Sequence, residues 1–452
     1  MWVEKAMKEV AKAHLFPKHT HLLLMNLTEL QRRMQAVQQA FQAVLPTGNN
    51  QNIEFLHAFA VKANPLQCVL ETAVQQQMGL ETASIGEFIL SERVLQGSHQ
   101  EERRIVFDSP AKTIEEVYHA LQVKCYLNVD NFQELDRIIE IQKGAYKDSF
   151  PPLPEIKAIV GIRVNPQTVQ SASNALLATG GAVSKFGVSL HDEGNMEKIL
   201  QYVEQYHDTI NLTMLHVHSG SQGLSLDTMV AGVRTIVSLA EHERIKNYIN
   251  VIDIGGGFPV DFTSDEETLT IADYARELSE KVPQLFRPDG RRTILTEFGR
   301  SLAAKSGILI SRVEYVKQSG GRQIISQHIG ADLAVRTVWQ PSHWPLRVRV
   351  YDEEGNLRQG EEHGMRTDVA GPCCNSGCML TREAPLPLDV KPLRDLIVVH
   401  DVGGYYHSSF SLYNLRQMCA CYAYREGEEP SLTCVKHPQS VEETIRLFQT
   451  DA

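Results

Sequence analysis

The sequence has no long hydrophobic run and no excess of basic residues. Its longest apolar runs, such as residues 22–25, fall far short of the roughly 20 residues that a membrane-spanning helix needs. We expect no secretory signal either, because the segment MWVEKAMKEVAKAH has no apolar core. The 452 residues include 44 Lys and Arg against 55 Asp and Glu, giving a net charge of −11. A nucleic-acid partner is not expected, since a phosphate backbone requires a basic face.

The sequence also has few cysteines for its length, and none in a CxxC spacing. Eight cysteines spread along a long chain indicate reduced thiols in a cytoplasmic protein. Two small groups stand out, Cys373 with Cys374 and Cys378, and Cys419 with Cys421. Because neither group has the spacing of a zinc site, we predict no metal.

Residues 27–305 alternate short apolar runs with helical patterns, which is typical of parallel strands joined by helices. Eight strands and seven helices in this order predict a (β/α)8 barrel of the TIM type, with an open doubly wound sheet as the alternative. The predicted strands are 56–61, 79–83, 104–107, 123–129, 156–164, 213–218, 250–254 and 292–297. The predicted helices are 65–77, 86–95, 113–121, 131–142, 197–206, 226–241 and 270–286.

Residues 306–452 have a different pattern of short β-rich runs separated by Gly, Pro, Asp and Glu. They predict a second, mainly antiparallel β domain, which residues 1–26 are expected to join. Its predicted strands are 308–315, 322–327, 346–350, 367–369, 395–400 and 432–437.

Several chemically capable side chains follow predicted barrel strands, where barrel enzymes carry their active sites. Lys62 follows the first strand, and partial burial would make its amine suited to a Schiff base. Alternatively, Lys62 extends its charged end into solvent from a buried stem. His216 and His218 end the sixth strand, and taken singly they are equally compatible with core histidines.

The last two barrel strands are followed by residues suited to binding an anion and a ring nitrogen. Gly255, Gly256 and Gly257 allow backbone N–H groups to close around a phosphate, although a flexible turn is the simpler alternative. Glu297 and Arg300 can serve two different groups, or form a local ion pair.

Together these groups match the needs of pyridoxal 5′-phosphate (PLP). An amine would bind its aldehyde, backbone and side-chain donors its phosphate, and a carboxylate its pyridine nitrogen.

The motifs that carry these residues resemble the fold-type III, alanine racemase-like PLP decarboxylases, and the diaminopimelate branch above all. The resemblance runs from about residue 22 to residue 414. It rests on FAVKAN at Lys62, ETASIGE at Glu81, GIRVNP at Arg163, SKFG at residues 184–187, HSGSQ at His218, GGGF at Gly255, EFGR at Glu297, GPCCNSGC at Cys374 and GGY at Tyr405.

The resemblance implies a role for each matched residue. Lys62 would form the Schiff base, His218 would stack on the cofactor ring, and Cys374 would reach the site from the partner subunit and supply a proton. This implies a homodimer with shared active sites. The cofactor-binding residues would be Lys62, Glu81, Arg163, His218, Ser221, Gly255, Gly256, Gly257, Glu297, Arg300 and Tyr405.

The sequence departs from the family pattern at the substrate end. Asn375 and Cys378 stand where relatives carry acids, and the acid at the first position contacts the distal amine of the substrate. Arg336 and Trp339 lie where a clamp on a distal carboxylate is expected, with Arg336 displaced by one residue. Phe298 replaces a proline and is expected to affect only the turn.

We therefore expect PLP-dependent decarboxylation of an amino acid through Lys62. The preferred substrate is predicted not to be diaminopimelate, lysine or ornithine, and Arg336, Trp339, Asn375 and Cys378 are predicted to contact it. A PLP-dependent racemase or epimerase is an alternative, as is a non-catalytic PLP-binding relative.

Overall fold

The computed structural model describes residues 2–16, 18–46, 52–97, 104–168, 179–287, 291–360 and 365–450. The chain divides into two compact units. The barrel unit comprises Gln31–Pro259 and Leu269–Ser301. The β-rich unit comprises Met1–Leu30, Val260–Thr268 and Leu302–Ala452.

The barrel unit contains a closed ring of eight parallel strands, so the predicted (β/α)8 barrel is confirmed. Successive strands are neighbours around the ring, and the last pairs with the first from Arg292↔Ile53 to Phe298↔Phe59. A short strand, Val188–Ser189, adds to Ile159–Asn165 outside the ring. The barrel strands are Ile53–Ala60, Gly79–Thr82, Ile105–Asp108, Tyr126–Val129, Ile159–Asn165, Leu212–His216, Val251–Asp253 and Arg292–Phe298.

Helices follow the barrel strands, and each of the seven predicted helices corresponds to one in the structure. They are Gln67–Gln75, Ile85–Gly97, Ile114–Gln122, Phe132–Gln142, Asn195–Tyr206, Leu226–Ala240 and Ile271–Lys281, and Leu27–Ala43 precedes them across the boundary between the units. The predicted helix at 270–286 is shorter than expected. It ends at Lys281, and a separate 3-10 turn begins at Pro283, because proline cannot donate the backbone hydrogen bond that continues a helix.

The β-rich unit contains a seven-stranded and a four-stranded sheet. Its core packs helix Trp2–Lys12 against the larger sheet. The larger sheet, in order, is Leu357–Arg358, Val348–Tyr351, Leu396–Val399, Gly307–Arg312, His21–Asn26, Ala420–Arg425 and Ser431–Lys436. The smaller is Tyr315–Ser319, Arg322–Ser326, Thr367–Ala370 and Met379–Ala384. Further short helices are Arg300–Ala303, Val335–Trp339 and Val441–Arg446.

In place of the single strand expected at 308–315, the structure has two strands that belong to different sheets. Gly307–Arg312 belongs to the larger sheet and Tyr315–Ser319 to the smaller. Ala420–Arg425 was not predicted, because its Ala and Cys residues lack the β-branched pattern of a strand, although most of them are buried.

All eight cysteines lie in the described ranges, and none of them forms a disulfide. Within the described ranges, no helix is long and apolar enough to cross a membrane.

The first prediction concerns the acid stability of the barrel. Burial lowers the pKa of His57 to about 4, and its Nδ1 lies 2.9 Å from Thr296 Oγ1. The unfolded chain, with a histidine pKa near 6.5, therefore binds more protons than the folded chain between those two values. Stability should fall as the pH drops through this window. In His57→Gln this fall should be shallower by up to about 1.4 kcal/mol per pH unit, measured by urea unfolding.

The exposed His343 provides the control, because His343→Gln should leave the slope unchanged. An equal slope in the wild type and His57→Gln would show that His57 does not contribute.

Candidate active site

Lys62 lies immediately beyond the first barrel strand, in a 3-10 turn formed by Val61–Ala63. Its Nζ donates to both carboxylate oxygens of Glu81, at 2.7 and 2.8 Å. The Glu81 side chain is fully buried, whereas that of Lys62 is 37% exposed. Burial raises the pKa of the Glu81 carboxyl, and the Lys62 ammonium group opposes this effect. The structure therefore places an accessible amine beside a buried carboxyl that can exchange a proton with it.

Glu297 is a buried acid at the end of the last barrel strand. Neither of its carboxylate oxygens has a hydrogen-bond partner among the described residues. Its Oε2 lies 3.6 Å from His216 Nε2 and 3.9 Å from His218 Nδ1. Burial raises its pKa well above the usual range, and the charges of neighbouring carboxylates, with Asp253 first, raise it further. A buried carboxyl of this kind requires a donor for its oxygens.

Arg163 projects from strand Ile159–Asn165 and forms a buried ion pair. Its Nη1 lies 2.7 Å from Asp108 Oδ2, and its guanidinium stacks on the Phe186 ring at 4.4 Å. Burial favours the neutral Asp108 carboxyl, but the charges of Arg163, His216, Lys62 and Lys112 together outweigh this effect and lower the Asp108 pKa. Oxygens of Glu81, Asp108 and Glu297 lie within 4.8 Å of one another, so these acids belong to one cluster.

The three glycines form a tight turn, and only part of it matches the expectation. The Gly255 N–H donates to Asp253 Oδ1 at 2.9 Å, and the Gly256 N–H donates to His218 Nδ1 at 3.1 Å. Two of the three N–H groups are therefore engaged within the chain, which corrects the idea that all three are directed at an anion. The Gly257 N–H has no partner among the described residues.

Ser221 and Arg300 lie together beside this turn. Arg300 Nη2 approaches Ser221 Oγ at 3.4 Å, and a Cβ on Gly257 would lie 3.5 Å from Ser221 Cα. A guanidinium, a hydroxyl and a backbone N–H are suitable ligands for a phosphate.

The residues of the barrel unit fit PLP on two independent grounds. Glu297 offers buried carboxyl oxygens to a ring nitrogen. Arg300 Nη2 and Ser221 Oγ, 3.4 Å apart beside the Gly257 turn, offer donors to a phosphate.

The predicted residues of the β-rich unit form two groups. Cys374 is exposed, and its N–H donates to Asn414 Oδ1 at 2.8 Å. In the same loop, the Asn375 side-chain oxygen accepts the Gly377 N–H at 2.7 Å. Cys378 is buried, and its sulfur accepts the Ala331 N–H at 3.3 Å.

In the second group, the Arg336 guanidinium lies over the rings of Tyr405, at 4.8 Å, and Trp344, at 5.2 Å. Burial lowers the pKa of the Arg336 guanidinium. Tyr405 has a left-handed backbone, with φ of +68°, and Trp339 is 54% exposed.

Sequence reasoning missed several residues that shape the site. Asp108, Asn128 and Asp253 are buried at strand ends, and of these only Asp253 adjoins a recognised motif. Phe298 does more than alter a turn. It is fully buried, and its ring packs against Phe41 and Tyr274 at 6.4 Å.

Residues 27–304 match the family described as pyridoxal-dependent decarboxylase, pyridoxal binding domain. The chain belongs to this family. It is thus a PLP-dependent amino-acid decarboxylase by family, and its barrel unit carries the pyridoxal-binding domain.

Relatives and solved structures agree with this assignment. The decarboxylase is 28% identical to the diaminopimelate decarboxylase of Zymomonas mobilis, over 86% of this chain and 85% of that protein. The crystal structure of the Helicobacter pylori enzyme with L-lysine is 25% identical, with a TM-score of 0.78, over 97% and 99% of the two chains. The M. jannaschii enzyme shares the fold at 20% identity, with a TM-score of 0.79 and coverages of 99% and 94%.

The second prediction tests the glycine turn of this decarboxylase. Gly256→Ala places a methyl group against the Glu297 carbonyl oxygen, so the turn and Glu297 must separate. We expect at least a tenfold loss of PLP affinity, measured by titrating the stripped protein with PLP. Gly97→Ala is the control, since nothing lies within 4 Å of a Cβ there, and it should retain wild-type affinity. Equal affinities for the two variants would contradict the prediction.

Proposed function

We propose that this decarboxylase acts on an α-amino acid whose side chain does not end in an ammonium group, so that diaminopimelate, lysine and ornithine are not its preferred substrates. The proposal rests on one observation. The loop Gly-Pro-Cys-Cys-Asn-Ser-Gly-Cys that begins at Gly371 contains no carboxylate, although the resemblance predicts acids at Asn375 and Cys378.

Local packing supports the view that neither replacement recreates the missing charge. The Asn375 oxygen closes its own turn, and Cys378 is buried against Gly330 and Gly371. A neutral amide does not compensate the charge of an ammonium group, so a substrate with that group would lose its attraction to the site. Arg336 and Trp339 remain proposed substrate contacts.

The barrel residues have separate tasks in the reaction. When bound, PLP supplies an electron sink that withdraws electrons from the substrate Cα as the carboxyl group departs. Lys62 offers the amine, and Glu81 can hold a proton from Lys62 Nζ because burial raises its pKa. Glu297 would accept the ring N–H, which gives its buried oxygens a donor.

The remaining residues would bind and orient. Ser221, Arg300 and the Gly257 N–H would hold the phosphate. His218 would lie against the ring, where Gly256 fixes its Nδ1 as an acceptor. Cys374 is exposed and would deliver a proton to the product carbon from the partner subunit of a homodimer.

The third prediction concerns substrate choice. A panel of L- and D-amino acids, assayed for CO2 release by the PLP-loaded protein, should show a neutral side chain preferred over diaminopimelate, lysine and ornithine by at least about tenfold in kcat/KM. Asn375→Asp keeps the acceptor oxygen for Gly377 and adds a charge, so it should raise kcat/KM for the cationic substrates.

Ser376→Asp is the matched control, because it adds the same charge at the adjacent, exposed position. Efficient turnover of diaminopimelate by the wild type would overturn the proposed substrate class. A spectral shift without CO2 would instead favour racemisation.

The fourth prediction tests shared sites. Lys62→Ala and Cys374→Ala variants should each have little activity. Equal mixing after subunit exchange should restore about a quarter of wild-type activity, because half the dimers are mixed and each has one intact site. Activity that stays at the average of the two separate variants would show that Lys62 and Cys374 act within one chain.

A further inference from the structure

A buried hydrogen bond crosses the interior of the barrel behind the site. Asp253 ends strand Val251–Asp253, and Asn128 lies in strand Tyr126–Val129, which is not its neighbour in the ring. Asn128 Nδ2 donates to Asp253 Oδ2 at 3.1 Å, and both residues are fully buried. The other Asp253 oxygen accepts the Gly255 N–H at 2.9 Å.

Through Gly255, this carboxylate is connected to two proposed cofactor contacts. The Glu297 N–H donates to the Gly255 carbonyl at 2.8 Å, which ties the main chain of Glu297 to the turn. The next N–H of the turn, at Gly256, donates to His218 Nδ1. Because Nδ1 accepts, a neutral His218 carries its proton on Nε2. The glycine turn at Gly255 and Gly256 therefore fixes both the position of the Glu297 main chain and the tautomer of His218.

Asn128 is itself held firmly. The main-chain carbonyl oxygen of Asn128 accepts a hydrogen bond from Lys112 Nζ at 2.8 Å, and the same ammonium group forms an ion pair with Glu134 at 2.9 Å. Its side-chain oxygen has no hydrogen-bond partner among the described residues. The amide is thus oriented by its bond to Asp253, and its idle oxygen could accept if the amide were to flip.

We propose that Asp253 is a positioning residue of the decarboxylase and that Asn128 supports it. Asp253 holds the Gly255 turn in the conformation that presents His218 and Glu297 to PLP. Asp253 acts through the turn. Its contribution is a carboxylate oxygen in a fixed position, which accepts the hydrogen bond from the Gly255 N–H. The proposal rests on the cofactor contacts proposed for His218 and Glu297, and is independent of the substrate class.

The test compares Asp253→Ala with Asp253→Asn in the full chain. Each protein is stripped of PLP and titrated with PLP while protein fluorescence is followed, and thermal unfolding is recorded alongside. Asp253→Ala should weaken PLP binding at least tenfold. Asp253→Asn retains a side-chain oxygen that accepts from the Gly255 N–H. Its new NH2 group can donate to the side-chain oxygen of Asn128 once the Asn128 amide has flipped. This variant should therefore bind PLP within about threefold of wild type.

Asp395→Ala is the matched control. Asp395 is also buried and also accepts a backbone N–H, that of Lys391 at 2.8 Å, but it belongs to the β-rich unit. This variant should lose stability and keep its PLP affinity. A purely structural role for Asp253 would give the same pattern in Asp253→Ala, and would overturn the proposal.

Two further outcomes are decisive. If Asp253→Asn weakens PLP binding as much as Asp253→Ala, the charge matters rather than the position, and the proposal fails. If Asp253→Ala does not fold, the double variant Asp253→Asn with Asn128→Ala replaces it. That variant leaves the new amide without its acceptor, so it should lose PLP affinity relative to Asp253→Asn alone, and equal affinities would refute the role of Asn128. No substrate is added, so these results do not depend on the proposed substrate class.

Discussion

The active site depends on an excess of buried acid inside the barrel. Glu81, Asp108, Asp253 and Glu297 are all buried there. Asp108 is neutralised by Arg163, and Glu81 by Lys62. Burial disfavours the charged form of each acid, and desolvated carboxylates also repel one another unless a cation or a proton separates them. Both effects raise the Glu297 pKa, burial more than repulsion. This constraint favours ligands that bring positive N–H groups into the barrel.

The same constraint explains why the surrounding backbone is so closely fixed. A buried acid is tolerated when its hydrogen-bond partners are positioned in advance. Asp253 therefore accepts one hydrogen bond from a backbone N–H of the glycine turn and a second from the Asn128 side chain across the barrel. The fully buried Phe298 packs at the end of the strand that carries Glu297, so apolar packing stabilises the main chain next to a buried carboxyl group.

The sequence was most informative where hydrophobic pattern alone determines structure. The buried barrel strands were found because continuous apolar runs are unusual outside parallel sheets. Positions after barrel strands located Lys62, His218 and Glu297, and motif resemblance added Glu81. The structure connects these residues through hydrogen bonds or close approaches. Neither signal could reveal that Gly255 and Gly256 donate their N–H groups within the chain, because backbone partners depend on three-dimensional contacts. Asn128 carried no local signal at all, since its partner lies 125 residues away.

The position of the first strand within the larger sheet has a consequence for how the chain is made. His21–Asn26 lies between Gly307–Arg312 and Ala420–Arg425, so both of its neighbours are synthesised hundreds of residues later. Until then its apolar residues, Leu22–Leu23–Leu24–Met25, have no sheet to join. Contacts between residues so far apart in the sequence form slowly, and they leave apolar, unpaired strands exposed during synthesis. The larger sheet of the β-rich unit can therefore be completed only after Ala420–Arg425 has left the ribosome, roughly 400 residues after His21–Asn26.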